Sequence, residues 1–213
     1  MKRAIISMCC ALAIFLHVSA QIKYGVKGGV NLTNVVNSFD RSGGVDPYSI
    51  NNRIGFFFGP TALIATPIKD LEFDASIMFD QRGAEMKTPD LIGSPTFKTT
   101  ITHQQLTIPV NICYNLLSGN RAKLFVLAGP QLGINIGKKE YELDYGDMVF
   151  NSASFGINAG IGLFLGLHIQ VSANYNMICG KSAGYWINRR WDIGQEIGNG
   201  RINAWQFSVG YYF

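Results

Sequence analysis

Long apolar runs are missing from this chain once its first twenty residues are set aside. Beyond Ala4 to Val18, no stretch approaches 18 consecutive apolar residues, which excludes a bundle of spanning helices. Cysteine is scarce as well. Of the 4 cysteines, Cys9 and Cys10 lie in the apolar opening, leaving Cys113 and Cys179. Two thiols make neither a disulfide framework nor a metal motif, so they read as isolated thiols, with one long-range bridge as the alternative. Charged residues are only 15% of the chain. There is no G-x-S-x-G, no P-loop and no H-E-x-x-H. The 3 histidines, His17, His103 and His168, show no metal-ligand spacing. Catalytic, cofactor and metal residues are therefore expected to be absent, and the chain is not expected to be an enzyme.

The opening has the layout of a cleaved secretory signal. Met1-Lys2-Arg3 is basic, Ala4 to Val18 is apolar apart from Ser7 and His17, and Val18-Ser19-Ala20 supplies a small-residue cleavage site before Gln21. The expected division is a signal peptide over 1–20 and one barrel domain over 21–213. Loss of Lys2 and Arg3 takes the 18 basic residues to 16, against 14 acidic ones, a balance that argues against a nucleic-acid partner.

What is abundant is glycine, 24 residues of it, together with alternation. Side chains two apart along a strand share a face. Leu71, Phe73, Ala75, Ile77 and Phe79 point one way, while Glu72, Asp74, Ser76, Met78, Asp80 and Arg82 point the other. The same pattern runs from Ile22 to Leu32, Gln105 to Tyr114, Ala122 to Ile136, Ser154 to Leu165, Leu167 to Met177 and Ala204 to Phe213. Around Arg53 to Thr66 both parities are apolar, with Phe56, Phe58 and Ile64 on one and Phe57 and Leu63 on the other, yet length and flanking turns favour a strand. That makes eight strands of roughly 10 to 14 residues, close to the length that crosses a bilayer at a tilt.

The connections alternate in length. Thr33 to Asn52, Ala84 to Lys98, Gly137 to Asn151 and Cys179 to Gly200 are long, whereas Pro67 to Asp70, Asn115 to Arg121 and Leu165-Gly166 are short or modest. Outer-membrane barrels sort their loops this way, with short periplasmic turns and long external loops. The fold expected is all-β: an eight-stranded antiparallel transmembrane β-barrel wound as an up-and-down meander, in the bacterial outer membrane. Its partners would be outer-membrane lipid and, through the aromatic C-terminal strand ending at Phe213, the outer-membrane assembly machinery.

Several segments resemble a known family. Tyr24-Gly25-Val26-Lys27-Gly28-Gly29-Val30-Asn31 looks like the first strand of the PorT-like outer-membrane β-barrel family of Bacteroidota. Leu106-Thr107-Ile108-Pro109-Val110-Asn111-Ile112-Cys113-Tyr114 resembles its L-x-I-P strand, and Ala128-Gly129-Pro130-Gln131-Leu132-Gly133 its Gly-Pro strand. Phe155-Gly156-Ile157-Asn158-Ala159-Gly160-Ile161-Gly162 is similar to its glycine-rich sixth strand. The resemblance implies an eight-stranded outer-membrane barrel without a catalytic motif. One branch of that family is associated with protein secretion, which would add secretion components to the partners.

The inward face carries the residues that invite a functional reading. Lys23, Lys27, Glu72, Asp74, Asp80, Arg82 and Lys123 are expected to face a narrow interior, where they must pair, because isolated charge is costly to bury. A proton or ion path is the alternative use of these charges. His168 and Ser172 are expected to share the inner face of one strand, but four strand residues separate them by about 13 Å, too far for a base and nucleophile. Outside, Gly184-Tyr185-Trp186-Ile187-Asn188-Arg189-Arg190-Trp191 combines aromatics with arginines, fitting either a binding loop or an aromatic belt beside lipid head groups. The function expected is a structural or surface barrel, or an accessory to export. A lipid-modifying barrel enzyme and a soluble ligand-binding barrel are the alternatives.

Overall fold

A computed structural model describes residues 21–39, 49–87, 98–119, 121–143, 146–166, 168–180, 183–187 and 195–213. The signal region 1–20 lies outside them. Among the described residues there are 12 strands: β1 (Ile22–Phe39), β2 (Ser49–Ala65), β3 (Leu71–Ser76), β4 (Met78–Lys87), β5 (Lys98–Ser118), β6 (Ala122–Asn135), β7 (Glu140–Leu143), β8 (Gly146–Phe150), β9 (Ala153–Leu165), β10 (Ile169–Cys179), β11 (Ala183–Ile187) and β12 (Gln195–Tyr212). All pairings are antiparallel, and β1 closes the sheet by pairing with β12 from Gly25↔Tyr212 to Phe39↔Gly198. Strands β3 and β4 are one stave, interrupted at Ile77. There Ile77 N–H donates to Pro60 O, and Pro60 has no N–H to return the bond. Counting them together gives a closed, eight-stranded barrel. A closed ladder leaves the barrel wall no unpaired edge, which is what allows strands to cross lipid.

The faces divide as the alternation requires. Ile22, Tyr24, Val26, Val30, Leu32, Ile157, Ile161, Leu163, Phe207 and Val209 are all exposed on the outside, while Asn31, Asp74, Asn158, Gln170 and Ser208 are buried inside. On the ambiguous strand β2, Ile54, Phe56 and Phe58 turn out to be exposed, and Phe57 and Leu63 are buried inward. A soluble barrel cannot present this much aliphatic and aromatic surface to water. Tyr24, Tyr114, Tyr211 and Phe213 ring one end of the apolar band, and Phe56, Phe155 and Trp205 ring the other. From Tyr24 to Leu32, at the level of Trp205, the strand rises about 26 Å. That is about 20 Å along the axis at the usual tilt, which suits an outer-membrane band.

Three short turns lie at the end that also carries Ile22 and Phe213. After β9, Gly166 lies at φ 63°, a left-handed conformation that glycine adopts without strain. At the other end the strands run further than the alternation predicts. β1 reaches Phe39, β5 starts at Lys98, and the expected loops 137–151 and 179–200 contain β7, β8 and β11. β7, β8 and β11 continue the barrel wall outward in the order β12-β11-β8-β7. Sequence alternation ends where the band ends, because outside the lipid both faces meet water and neither must be apolar.

Candidate functional site

The interior is a stack of side-chain layers. At the short-turn end it is apolar: Leu63, Cys113, Phe125, Leu127, Phe164 and Tyr212 form one buried cluster. The rings of Phe125 and Phe164 lie 5.2 Å apart, and those of Phe164 and Tyr212 5.8 Å apart. Phe125 folds over Gly162, where a Cβ would meet the ring at 2.3 Å, so any side chain at Gly162 would collide with the plug.

Above the plug sits the first ion pair, between Lys27 Nζ and Asp74 Oδ2. Asp74 also accepts from Thr61 Oγ1 at 3.0 Å, Gln170 Nε2 at 3.3 Å and the Tyr212 hydroxyl at 3.4 Å. Tyr212 thus belongs to both layers, its ring packed in the plug and its hydroxyl between the Asp74 carboxylate and Gln170 Oε1, which lies nearer at 3.0 Å. A cavity of about 30 Å³ follows, lined by Lys27, Asn111, Gln131, Ser172 and Asn174 among others. It is polar and large enough for one or two waters.

The second ion pair lies further toward the long-loop end, outside the lining of this cavity. Arg82 Nε donates to Asp80 Oδ2 at 3.0 Å, Nη1 to Ile202 O at 2.8 Å and Nη2 to Asn176 Oδ1 at 2.9 Å. Asp80 accepts further bonds from Asn31 at 2.7 Å and Gln105 at 3.1 Å. Asn176 then donates to Asn158 at 2.8 Å, and Asn158 to Gln131 at 3.1 Å. Both carboxylates and the guanidinium are nearly inaccessible, so each must be satisfied internally. Beyond Arg82, Phe150 of β8 stacks its ring on His103 at 4.7 Å.

The expected inward charges are therefore only partly gathered. Lys27, Asp74, Asp80 and Arg82 form two pairs, while Lys23, Glu72 and Lys123 are half-buried at the short-turn end, outside either pair. The expectation for His168 needs correction. β10 begins at Ile169, and His168 is exposed in the preceding turn, its ring 5.7 Å from that of Tyr211 on the outer face. The turn, rather than the strand, sets its direction. Ser172 is inward as expected, sharing a 2.7 Å hydrogen bond with Ser208. Cys113 and Cys179 are free, one buried in the plug and the other exposed near the long-loop end. Of the expected outer loop, Gly184 to Ile187 belong to β11, and Asn188, Arg189, Arg190 and Trp191 lie outside the described residues. The plug itself was missed, although Phe125 and Leu127 stand in the sequence on the parity of Lys123 and Gln131.

Comparison with known proteins agrees with this geometry. Residues 18–178 match a family model described as outer membrane protein beta-barrel domain. The outer membrane protein OprG from Pseudomonas aeruginosa superposes with a TM-score of 0.54 at 10% identity, covering 91% of this chain and 97% of that one. Neisserial surface protein A gives 0.45 at 14% identity, over 89% of this chain and 97% of that one. The outer membrane protein AlkL, determined in lipid bilayers, gives 0.48 at 14% identity, over 89% of this chain and 90% of that one. At 10% identity the likeness to OprG concerns the fold alone. No curated protein matches the chain.

Proposed function

The chain belongs to the outer membrane protein beta-barrel domain family, and from that premise we propose that it is a non-enzymatic surface barrel, a rigid stopper in the outer membrane that holds its long-loop side up to the exterior. The observation that carries this reading is how closely the described residues fill the lumen: an apolar plug and two braced ion pairs, with cavities of about 30 and 10 Å³ between and above them. Spaces of that size hold waters, not a permeating solute. The wall continues past the apolar band through β7, β8 and β11, which carries the long-loop side into the exterior. A catalytic reading has little support in the arrangement. His103 is stacked beneath Phe150, His168 sits on the outer surface, and Ser172 is engaged by Ser208.

The test is to refold the mature chain into liposomes and assay solute leakage, then to incubate it with phospholipid and lipopolysaccharide. We expect leakage and lipid turnover at the level of empty liposomes. Leakage well above that level would overturn the stopper, and turnover that is lost with the heat-unfolded protein would overturn the non-enzymatic assignment. A second reading, an accessory to protein export of the PorT-like kind in Bacteroidota, is favoured by the ordered strand motifs at Tyr24, Leu106, Ala128 and Phe155. Deleting the gene and comparing secreted proteins tests it, with an unchanged secreted set counting against export.

A further inference from the structure

We propose that the outer mouth of the lumen is a binding site for a small oxygen anion of the carboxylate type, next to the Phe150 ring that packs on His103. The mouth holds a cavity of about 10 Å³, lined by Arg82, His103, Gln105, Asn135, Ser154 and Ile202 among others. Among the described residues no Asp or Glu lines it, and Asp80, the partner of Arg82 and Gln105, is already occupied by Asn31, Arg82 and Gln105. Two polar groups in this lining are buried without a partner. His103 is 8% and Asn135 9% exposed, yet His103 Nδ1 and Asn135 Nδ2 make no hydrogen bond. The direction of the Asn135 amide follows from its other end. Its Oδ1 accepts the Gly137 N–H at 2.9 Å, so Nδ2 is the end left as a donor. A buried donor without an acceptor is costly, and in a native protein it calls for an occupant. An arginine, a spare amide donor and a serine hydroxyl in one pocket suit an oxygen with lone pairs and negative charge.

The cavity as it stands has room for about one water, so a larger occupant needs a neighbouring side chain to give way. Phe150 is the neighbour packed on the lining: it is the last residue of the five-residue strand β8, and its ring stacks on that of His103 at 18°. β8 pairs with β11 on one side and with the four-residue β7 on the other. Ladders this short open locally at lower cost than the long strands of the barrel below them.

The site goes beyond the stopper reading and leaves it intact, because the Asp80–Arg82 layer and the plug remain beneath. The experiment uses the mature chain refolded in micelles with ¹⁵N-labelled histidine. Sodium formate and then sodium acetate are titrated against sodium chloride at equal ionic strength. In Phe150→Ala the His103 ring signals should shift saturably with formate and acetate. In the parent protein formate should act more weakly and acetate hardly at all. Adding Asn135→Leu to Phe150→Ala should weaken formate binding about tenfold, the loss expected for one hydrogen bond to a charged ligand. An unsaturable shift, a shift reproduced by chloride, or indifference to Asn135→Leu would each overturn the proposal and leave a structural water as the occupant. Should Phe150→Ala fail to refold, judged by heat-dependent gel mobility, Phe150→Leu serves the same comparison with a smaller opening.

Discussion

Asp74 and Asp80 stand six residues apart on the inward face of one interrupted stave, both with inaccessible side chains, and they are held in different ways. Asp74 takes its cation from β1, a lysine whose side chain is 9% exposed, and completes its shell with Thr61, Gln170 and Tyr212. Asp80 takes its cation from its own strand two residues on, and Arg82 then reaches across the lumen to β10 and β12. The first pair is a charge neutralised beside a wet cavity. The second is a brace that ties β1, β4, β5, β10 and β12 together. The difference follows from chemistry: a lysine is a flexible point charge, whereas an arginine offers a planar fork of donors that can serve three walls at once.

The sharpest way to break this comparison is at the brace. Arg82→Met should cost about 3–5 kcal/mol, the loss expected when one partner of a buried pair is removed, because Asp80 keeps only neutral donors and Ile202 O loses its bond. The check is the unfolding midpoint in detergent, read from heat-dependent gel mobility. The double variant Arg82→Met with Asp80→Leu should recover much of that loss, since a matched apolar pair strands no charge. If the double variant is no better than the single one, the brace matters through shape rather than charge.

Asp74→Asn should cost less, about 1–3 kcal/mol, because the amide keeps part of the hydrogen-bond shell and Lys27 lines a cavity large enough to hydrate it. The comparison needs Asp80→Asn measured beside it. If the two are equally destabilising, the wet cavity gives Lys27 no relief and the contrast between the two pairs collapses.

Much of this interior was legible beforehand, and the boundary of what was legible is physical. Which residues face inward follows from the two-residue period, so Asp74, Asp80, Arg82 and Lys27 could be placed in the lumen from sequence. Which cation meets which carboxylate could not, since that depends on the stagger of strands around the closed barrel. Phe125, Leu127 and Phe164 were readable in principle, as apolar residues on the polar parity. Reading the inward face for its charges alone passes over them. A lumen this narrow is a packed core, and the part of it farthest from the long loops can be as apolar as any other core. His168 escaped because one residue of strand boundary decides between inside and outside. The outer strands β7, β8 and β11 escaped because beyond the lipid nothing enforces alternation.

The smallest expected effect lies between the two ion pairs. Ser172 and Ser208 share a single 2.7 Å hydrogen bond across β10 and β12, in the lining of the larger cavity. Ser172→Ala leaves the Ser208 hydroxyl without that partner but beside a space where water can replace it, so the loss should stay near 1 kcal/mol or below. Ser208→Ala should match it, and the double variant should cost little more than either single one, because both remove the same bond. The same substitution in a dry layer would cost more. A Ser172→Ala loss as large as that of Asp74→Asn would mean that the cavity holds no exchangeable water, and the hydrated character assigned to the Lys27–Asp74 layer would go with it.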